Sequence, residues 1–341
     1  MFKLRDRLTE ALVQREANDR LYEMQLHLDS ELIKNLHRKR MLLEAGDERH
    51  KKIRPVLLAL GGGMKGACGG GIMYALRLLE LADVFDIVVS MSVGAICSIG
   101  FLAGKEESQI TASYFYWKEF TDNFIRYSRQ PIMNLDMLEA MMRSGEKQIS
   151  VEKAKASRPE FFVGVTDPVT GAGEIIDAKN ALPDLATAVK ASSALYGIYS
   201  TEDYRKVIVN GKHRIDGTYA NPFPIKEVIE MFNPTDVLVI PNRSIEQNSK
   251  GSVSLAEKLF TDLFVKNEAL KRTILARRQT YSRSLEFAKK VKDVRIGFIW
   301  NPVSLSSLTR NRKVFYNAVN RSVKDTLRIF GSSLPYELIP Y

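Results

Sequence analysis

One serine in this 341-residue chain has the neighbours that a nucleophile needs. Ser92 lies in SMSVG, residues 90–94, between an apolar run at residues 84–89 and another that extends to Gly104. On a sharp turn from strand to helix, a serine with small neighbours is held with its hydroxyl exposed, as in a nucleophile elbow. We therefore predict that Ser92 follows a buried parallel strand and acts as a nucleophile.

A glycine-rich loop precedes Ser92 by about one helix. Its sequence, GGGMKG at residues 61–66, follows the apolar run at residues 56–60, which is typical of a buried parallel strand. Consecutive glycines allow the backbone to approach a ligand closely, and the amides at the start of the next helix favour a negatively charged group. The loop lacks the Gly-Lys-Ser/Thr ending of a phosphate-binding loop.

A serine hydroxyl needs a base, because it is a poor nucleophile near neutral pH. Three of the four histidines, His27, His37 and His50, lie in the charged N-terminal segment. The fourth, His213, is three residues before Asp216, a spacing that points the two side chains to opposite faces of a strand. A carboxylate whose pKa is raised by burial accepts a proton directly. Asp216 is thus a candidate base, although Asp-Gly by itself favours a plain turn after a hairpin, and a triad through His213 stays open.

Three other interpretations of residues 56–104 are open at this stage. Residues 87–104 are uncharged over a length close to that of a membrane span, although their glycines, serines and central turn argue against one. The glycine loop followed by Asp83 or Asp86 also fits the dinucleotide-binding fingerprint, which leaves Ser92 unexplained. Finally, the glycines could serve only the close packing of a helix on a sheet.

Three motifs together resemble those of patatin-like phospholipases in order and spacing. They are GGGMKG at residues 61–66, SMSVGA at residues 90–95 and DGTYANP at residues 216–222. The segments ASSA, residues 191–194, and Thr166-Asp167 with Thr170-Gly171 are similar to the intermediate signatures of that family. The resemblance spans residues 56–241, and the motifs in combination are highly specific.

The resemblance implies a fold, an activity and a set of site residues. The fold would be a three-layer α/β/α arrangement with a mostly parallel central sheet. The activity would be that of a serine acyl-ester hydrolase acting on membrane lipids, of the phospholipase A or lysophospholipase type, with no metal or other cofactor. Ser92 would be the nucleophile and Asp216 the base of a Ser-Asp dyad. The oxyanion hole would consist of the backbone amides of Gly62, Gly63, Met64, Lys65 and Gly66.

The sequence departs from the family pattern at two positions. Ser90 replaces the first glycine of the usual elbow, and Thr218 stands where glycine or alanine often follows Asp-Gly. The first change adds a side chain in a crowded turn, and the second alters how Asp216 is presented. Two alternatives to an active hydrolase therefore stay open: a catalytically inactive scaffold or binding protein, and a nucleotide-binding protein that uses the glycine loop.

The order of the apolar runs predicts three regions. Residues 1–54 form a helical N-terminal extension, residues 55–243 the catalytic core, and residues 244–341 a basic, mostly helical region that packs on the core. Within the core, alternating strands and helices predict a mostly parallel sheet covered on both faces. An aromatic-rich helix is predicted over residues 109–126, and a long helix or helix pair over residues 254–292.

The charge of the chain is concentrated at its C-terminal end. Of the formal net charge of +10, residues 244–341 contribute 18 Lys and Arg against 8 Asp and Glu. Such a surface suits anionic lipid head groups, so we expect peripheral membrane contact there; nucleic acid is not an expected partner. Cys68 and Cys97, both in apolar sequence, indicate a reducing compartment. We expect a cytoplasmic or peripheral membrane protein with neither a signal peptide nor a transmembrane helix.

Overall fold

Short apolar runs form the central sheet of the computed structural model. The structure describes residues 28–126, 131–144, 148–200, 205–242, 255–300, 305, 311–332 and 334–340. The strands are β1 (Pro55–Ala59), β2 (Ile87–Ser90), β3 (Glu160–Thr166), β4 (Gly173–Asp177), β5 (Val207–Val209), β6 (Lys212–Asp216), β7 (Asp236–Ile240) and β8 (Arg295–Phe298).

The strands are arranged in the order β5-β6-β3-β2-β1-β7-β8, and β4 also pairs with β3. Strands β3, β2, β1, β7 and β8 are parallel, whereas β4 and β6 run antiparallel to β3, and β5 antiparallel to β6. The carboxyl ends of the parallel strands therefore lie at one edge of the sheet, which is where ligands bind in α/β folds. The predicted mostly parallel sheet is confirmed.

Helices cover both faces of the sheet. They are α1 (Ser30–Glu44), α2 (Gly66–Leu78), α3 (Val93–Ala103), α4 (Lys105–Ser113), α5 (Lys118–Asn123), α6 (Leu135–Arg143), α7 (Val151–Ala156), α8 (Leu185–Ser192), α9 (Ile225–Phe232), α10 (Leu255–Phe264), α11 (Glu268–Lys290) and α12 (Arg312–Ile329).

Alternate residues of β1 face the two helical layers, as the two-residue period of a strand requires. Leu57 and Ala59 belong to the larger core, with α2, α3 and α12. Val56 and Leu58 belong to the smaller core, with α9 and α11. This α/β/α arrangement is the three-layer fold that the sequence motifs imply.

One detail of the helices differs from the prediction. The aromatic stretch at residues 109–126 is not a single helix, because α4 ends at Ser113 and α5 begins at Lys118, after a short 3-10 turn at Tyr114–Tyr116. Between them Trp117 is extended, with its ring packed edge-on against Tyr114 at 5.4 Å. Tertiary packing of the aromatic rings has overridden the helical pattern there. Further along, α10 and α11 form the helix pair that the prediction over residues 254–292 included as an alternative, and the Asn267 side chain caps α11.

Both terminal regions contact the sheet. On α1, Lys39 pairs with Asp86, and Asn35 donates to Asp236 of β7. Strand β8 extends the sheet beyond β7, and its Arg295 also binds Asp236. Residues 1–27, which include His27 and half of the predicted N-terminal extension, lie outside the described residues. The proposed boundaries at residues 54 and 243 stay predictions.

The uncharged stretch at residues 87–104 is strand β2, a turn and helix α3, so its interpretation as a membrane span is wrong. Within the described part of the chain, no helix combines the length and the apolar character that crossing a bilayer would require.

Candidate active site

Ser92 occupies the sharp turn between β2 and α3. Its backbone is in the left-handed region, with φ 52° and ψ −129°, a strained conformation that costs about 1–3 kcal/mol and persists only where its surroundings impose it. The restraint is a pair of hydrogen bonds: the Ser92 amide donates to the carbonyl oxygen and to Oγ of Ser192, each at 3.1 Å. The elbow predicted from the sequence is therefore present, and Ser92 is 8 % exposed.

The neighbours of Ser92 fit the turn for different reasons. A Cβ atom at Gly94 would lie 2.4 Å from the carbonyl oxygen of Ala59, so only glycine fits where α3 begins against β1. Ser90 is fully buried, and its hydroxyl is hydrogen-bonded to that of Ser98 on α3 at 2.7 Å. The departure from glycine at position 90 is thus accommodated, because its hydroxyl has a partner within the core.

Strand β3 brings the elbow and Asp216 together. Ser90 pairs with Val163, and Asp216, the last residue of β6, pairs with Val165 of the same strand. Gly164 lies between these two positions. A Cβ atom there would be 2.6 Å from the Met91 side chain, so the glycine leaves room for the elbow.

The Asp216 loop also requires a close approach to β3. A Cβ atom at Gly217 would lie 2.3 Å from the carbonyl oxygen of Gly164. Thr166, two residues further along the strand, donates its hydroxyl to the carbonyl oxygen of Asp216 and accepts a hydrogen bond from the amide of Ala220. The loop that follows β6 is thereby fixed against the end of β3.

The segment at residues 191–194 holds both candidate catalytic residues by their backbones. Ser192, which binds the Ser92 amide, also donates its hydroxyl to the carbonyl oxygen of Gly164 at 2.7 Å. The carbonyl oxygen of Ala194 accepts a hydrogen bond from the amide of Asp216 at 3.0 Å. From the sequence, this segment stands out only by its similarity to an intermediate signature of the family. The hydrogen-bonding role of Ser192 was missed, although a serine among small residues in a signature segment was a usable signal.

The carboxylate of Asp216 is fully buried, and its two oxygens differ. Oδ1 accepts hydrogen bonds from the amide and the hydroxyl of Thr218, at 2.8 and 2.6 Å. Oδ2 accepts none of ordinary geometry from the described residues. Burial raises the pKa of Asp216 above the 3.8 of an unperturbed aspartate, while the nearby Ser92 hydroxyl, Thr218 and the charge of Arg277 act to lower it. This is the electrostatic environment of a base.

The glycine loop presents backbone amides at the same edge of the sheet. After β1 the chain is left-handed at Gly63, with φ 57°, and a 3-10 turn at Gly63–Lys65 leads into α2. The amide of Lys65 donates to Gly62, and that of Gly66 donates to Gly63 and Met64. The amides of Gly63 and Met64 open the turn and have no acceptor within it, which makes them available to an anion.

An apolar pocket begins at Ser92. Val93 and Ile96 of α3 line one side of it, and Leu135 and Leu138 of α6 line another. The remaining side consists of aromatic rings, those of Tyr114, Phe115, Phe120 and Phe124. Its volume is about 20 Å³, which is room for roughly one water-sized group, so the walls nearly touch. Lining of this kind suits a hydrocarbon group attached to a carbonyl at Ser92.

The other candidate residues are located away from Ser92. The ring of His213 is hydrogen-bonded through Nε2 to the hydroxyl of Ser200 at 3.1 Å. On the N-terminal side, His37 packs edge-on against Phe330, and His50 contacts the carbonyl oxygen of Asp47. The structure therefore brings Asp216, not these three histidines, beside Ser92.

The dinucleotide interpretation requires an acidic residue near the glycine loop. Asp86 instead precedes β2, with its amide bound to Pro55 at the beginning of β1, and its carboxylate pairs with Lys39 and Arg158. Asp83 lies in the turn before it and pairs with Arg77. Both are at the edge of the sheet opposite the glycine loop, so the fingerprint is not assembled. In the portion of the chain that is described, no group of three His, Cys, Asp or Glu side chains could hold a metal ion.

Comparison with known proteins gives a family and two solved structures. The family model described as patatin-like phospholipase matches residues 59–229. VipD from Legionella pneumophila is similar to this chain at 11 % identity, with a TM-score of 0.39, over 82 % of this chain and 67 % of that one. A chain of the complex of SpcU with ExoU, from the type III secretion system of Pseudomonas aeruginosa, is similar at 13 % identity, with a TM-score of 0.26. That match covers 70 % of this chain and about half, 54 %, of the other. No curated protein matches the sequence.

Proposed function

This chain belongs to the patatin-like phospholipase family, and from that premise we propose that it is a serine acyl-ester hydrolase of membrane lipids, of the phospholipase A or lysophospholipase type. One observation carries the proposal: a strained serine elbow lies beside a buried carboxylate whose Oδ2 accepts no hydrogen bond of ordinary geometry from the described residues. An activated nucleophile needs such a base within reach.

In the first step, Ser92 Oγ attacks the carbonyl carbon of the ester, and its proton passes to Asp216. Oδ2 is the acceptor, because Oδ1 is already held by Thr218. Negative charge then develops on the carbonyl oxygen. We assign its stabilisation to the amides of Gly62, Gly63 and Met64, since the amides of Lys65 and Gly66 donate within the start of the helix.

In the second step, the tetrahedral intermediate expels the alcohol portion of the lipid. Asp216 returns the proton to the leaving oxygen, and an acyl-enzyme on Ser92 remains. Water then attacks the acyl carbonyl and gives its proton to Asp216, which passes it to Ser92 Oγ as the fatty acid leaves. Every proton is thus moved by Asp216, whose raised pKa suits both its roles.

The apolar pocket supports an acyl-lipid substrate. It begins at Ser92 and is lined almost entirely by aliphatic and aromatic side chains, so the hydrocarbon of the acyl group has an apolar environment next to the reacting carbonyl. The polar head group then lies outside the pocket, at the edge of the sheet where the parallel strands end.

We also propose that the C-terminal region contacts the membrane surface. On α10, Leu259 and Leu263 are 53 % and 75 % exposed. In the sequence both lie between two exposed lysines, Lys258 and Lys266. The turn carrying Val169, itself 68 % exposed, is bound to Asn267 at the start of α11. Exposed apolar side chains within a basic region suit an anionic lipid surface.

The experiment is product analysis on a mixed phospholipid panel with the purified protein. Ser92→Ala and Asp216→Asn should each abolish fatty-acid release while the thermal unfolding transition is retained. His213→Ala is the control, and it should leave release unchanged. Full activity in Ser92→Ala would contradict the proposal. A wild-type protein that releases no fatty acid and does not react with a fluorophosphonate would instead indicate an inactive scaffold.

A further inference from the structure

Asn242 lies beneath the glycine loop, outside the residues that the family model matches. It follows β7 by two residues, is 5 % exposed and has a left-handed backbone, with φ 55°. Its Nδ2 donates to the carbonyl oxygen of Leu60 at 2.5 Å. Because the amide of Leu60 donates to Ile240 as the last backbone bond between β1 and β7, the Asn242 side chain continues that pairing by one more hydrogen bond.

The same side chain fills the space between the glycine loop and α2. A Cβ atom at Gly62 would lie 2.9 Å from Asn242 Cβ, and one at Gly69 would lie 2.2 Å from Asn242 Oδ1. The two glycines therefore make room for asparagine. Asn242 Oδ1 has no hydrogen-bonding partner among the described residues, and burying such a group costs free energy that an apolar residue would not.

We propose that Asn242 is a positioning residue of the oxyanion hole. By holding the carbonyl of Leu60, it fixes the peptide plane from which residues 61–64 leave the strand. By packing under Gly62, it prevents the loop from moving towards the carboxyl end of β7. The amides of Gly62 and Gly63 are thereby directed at the carbonyl oxygen of a substrate on Ser92. This inference rests on the proposed hydrolase function.

The test compares Asn242→Gly with wild type on one ester substrate. Glycine adopts the left-handed backbone without strain, so the substitution removes the side chain alone. We expect kcat to fall by about 10- to 100-fold with KM within about twofold, because displaced donors weaken binding of the transition state and leave the ground state unaffected. An alkyl trifluoromethyl ketone, which forms a tetrahedral oxyanion adduct with an active serine, should lose affinity by the same factor as kcat/KM.

Asn233→Gly is the matched control. Asn233 is also left-handed, with φ 44°, but it is exposed and follows α9, so the same substitution there should leave kcat unchanged. Asn242→Asp is the second variant, nearly identical in shape; when ionised it has no donor for the carbonyl oxygen of Leu60, so it should lose kcat as well at a pH where the carboxylate form is present. It provides the measurement if Asn242→Gly does not fold.

Three results would overturn the inference. Wild-type kcat and inhibitor affinity in the Asn242 variants would refute it while the hydrolase proposal stands. A lower kcat with unchanged affinity for the ketone would assign Asn242 a merely structural role. A wild-type protein that hydrolyses no ester would refute the hydrolase proposal and this inference with it.

Discussion

Thr218 donates both its amide and its hydroxyl to one oxygen of Asp216, at 2.8 and 2.6 Å. The residue that departs from the family pattern thus orients the carboxylate instead of disturbing it. Because Oδ1 is held in this way, Oδ2 is the oxygen that the proposed mechanism assigns to the proton of Ser92. The departure predicts retained chemistry with an altered dependence on pH.

Thr218→Val should move the acid limb of the pH profile of kcat/KM to higher pH. In the proposed mechanism Asp216 must be deprotonated to act as a base, so activity should fall as the pH drops through its pKa. Burial has already raised that pKa above 3.8, and the Thr218 hydroxyl opposes the rise by stabilising the charged form. Its removal should therefore shift the limb upwards. Thr218→Ser keeps the hydroxyl and is the control; an unchanged limb in the valine variant would contradict this prediction.

Arg277→Gln should also move the acid limb of the pH profile of kcat/KM to higher pH, by less than Thr218→Val does. Helix α11 packs its Ile274 with Tyr219, and its Tyr281 lies 5.6 Å from Phe223, so Arg277 faces the loop that follows Asp216. Its positive charge lowers the pKa of Asp216. Arg277→Lys retains the charge and should retain the wild-type limb. Profiles recorded at low and high salt check the electrostatic origin, since salt screens an effect of this kind. If the acid limbs of Arg277→Gln and Arg277→Lys coincide, an electrostatic effect of Arg277 on Asp216 is excluded.

Phe124→Ala should change the preference for acyl chain length. Phe124 stacks on Phe120 at 4.4 Å and lines the apolar pocket, whose volume of about 20 Å³ is room for roughly one water-sized group, so a long acyl chain would have to displace its walls. Removing the ring should raise the ratio of activity on long-chain to short-chain p-nitrophenyl esters. Phe232→Ala is the control, because Phe232 packs against Phe162 on the other face of the sheet. If both variants keep the wild-type ratio, the pocket does not hold the acyl chain.

Gly94→Ala should impair both stability and the reactivity of Ser92. The added methyl group would lie 2.4 Å from the carbonyl oxygen of Ala59, so α3 must move away from β1 and take the elbow with it. We expect the free energy of unfolding to fall by about 1–3 kcal/mol in denaturant titrations. Fluorophosphonate labelling should slow as well. In Gly46→Ala the methyl group meets nothing within 4 Å, so only the left-handed backbone is strained and labelling should be unaffected.

The sequence alone was sufficient for the elements around the site. Apolar runs ending in glycine or serine predicted β1, β2, the loop at residues 61–66 and the turn at Ser92. These features follow from side-chain periodicity and local backbone conformation, which neighbouring residues determine. The single helix predicted over the aromatic stretch at residues 109–126 was wrong, because ring contacts with distant residues outweighed the helical pattern.

Only the tertiary structure decided what surrounds the two candidate catalytic side chains. The register of β3, in which Val163 pairs with Ser90 and Val165 with Asp216, brings distant parts of the chain together. The hydrogen bonds of Ser192 and the burial that raises the pKa of Asp216 exist only once that register is formed. Strand order and register depend on contacts between residues far apart in the sequence, and no local pattern encodes them.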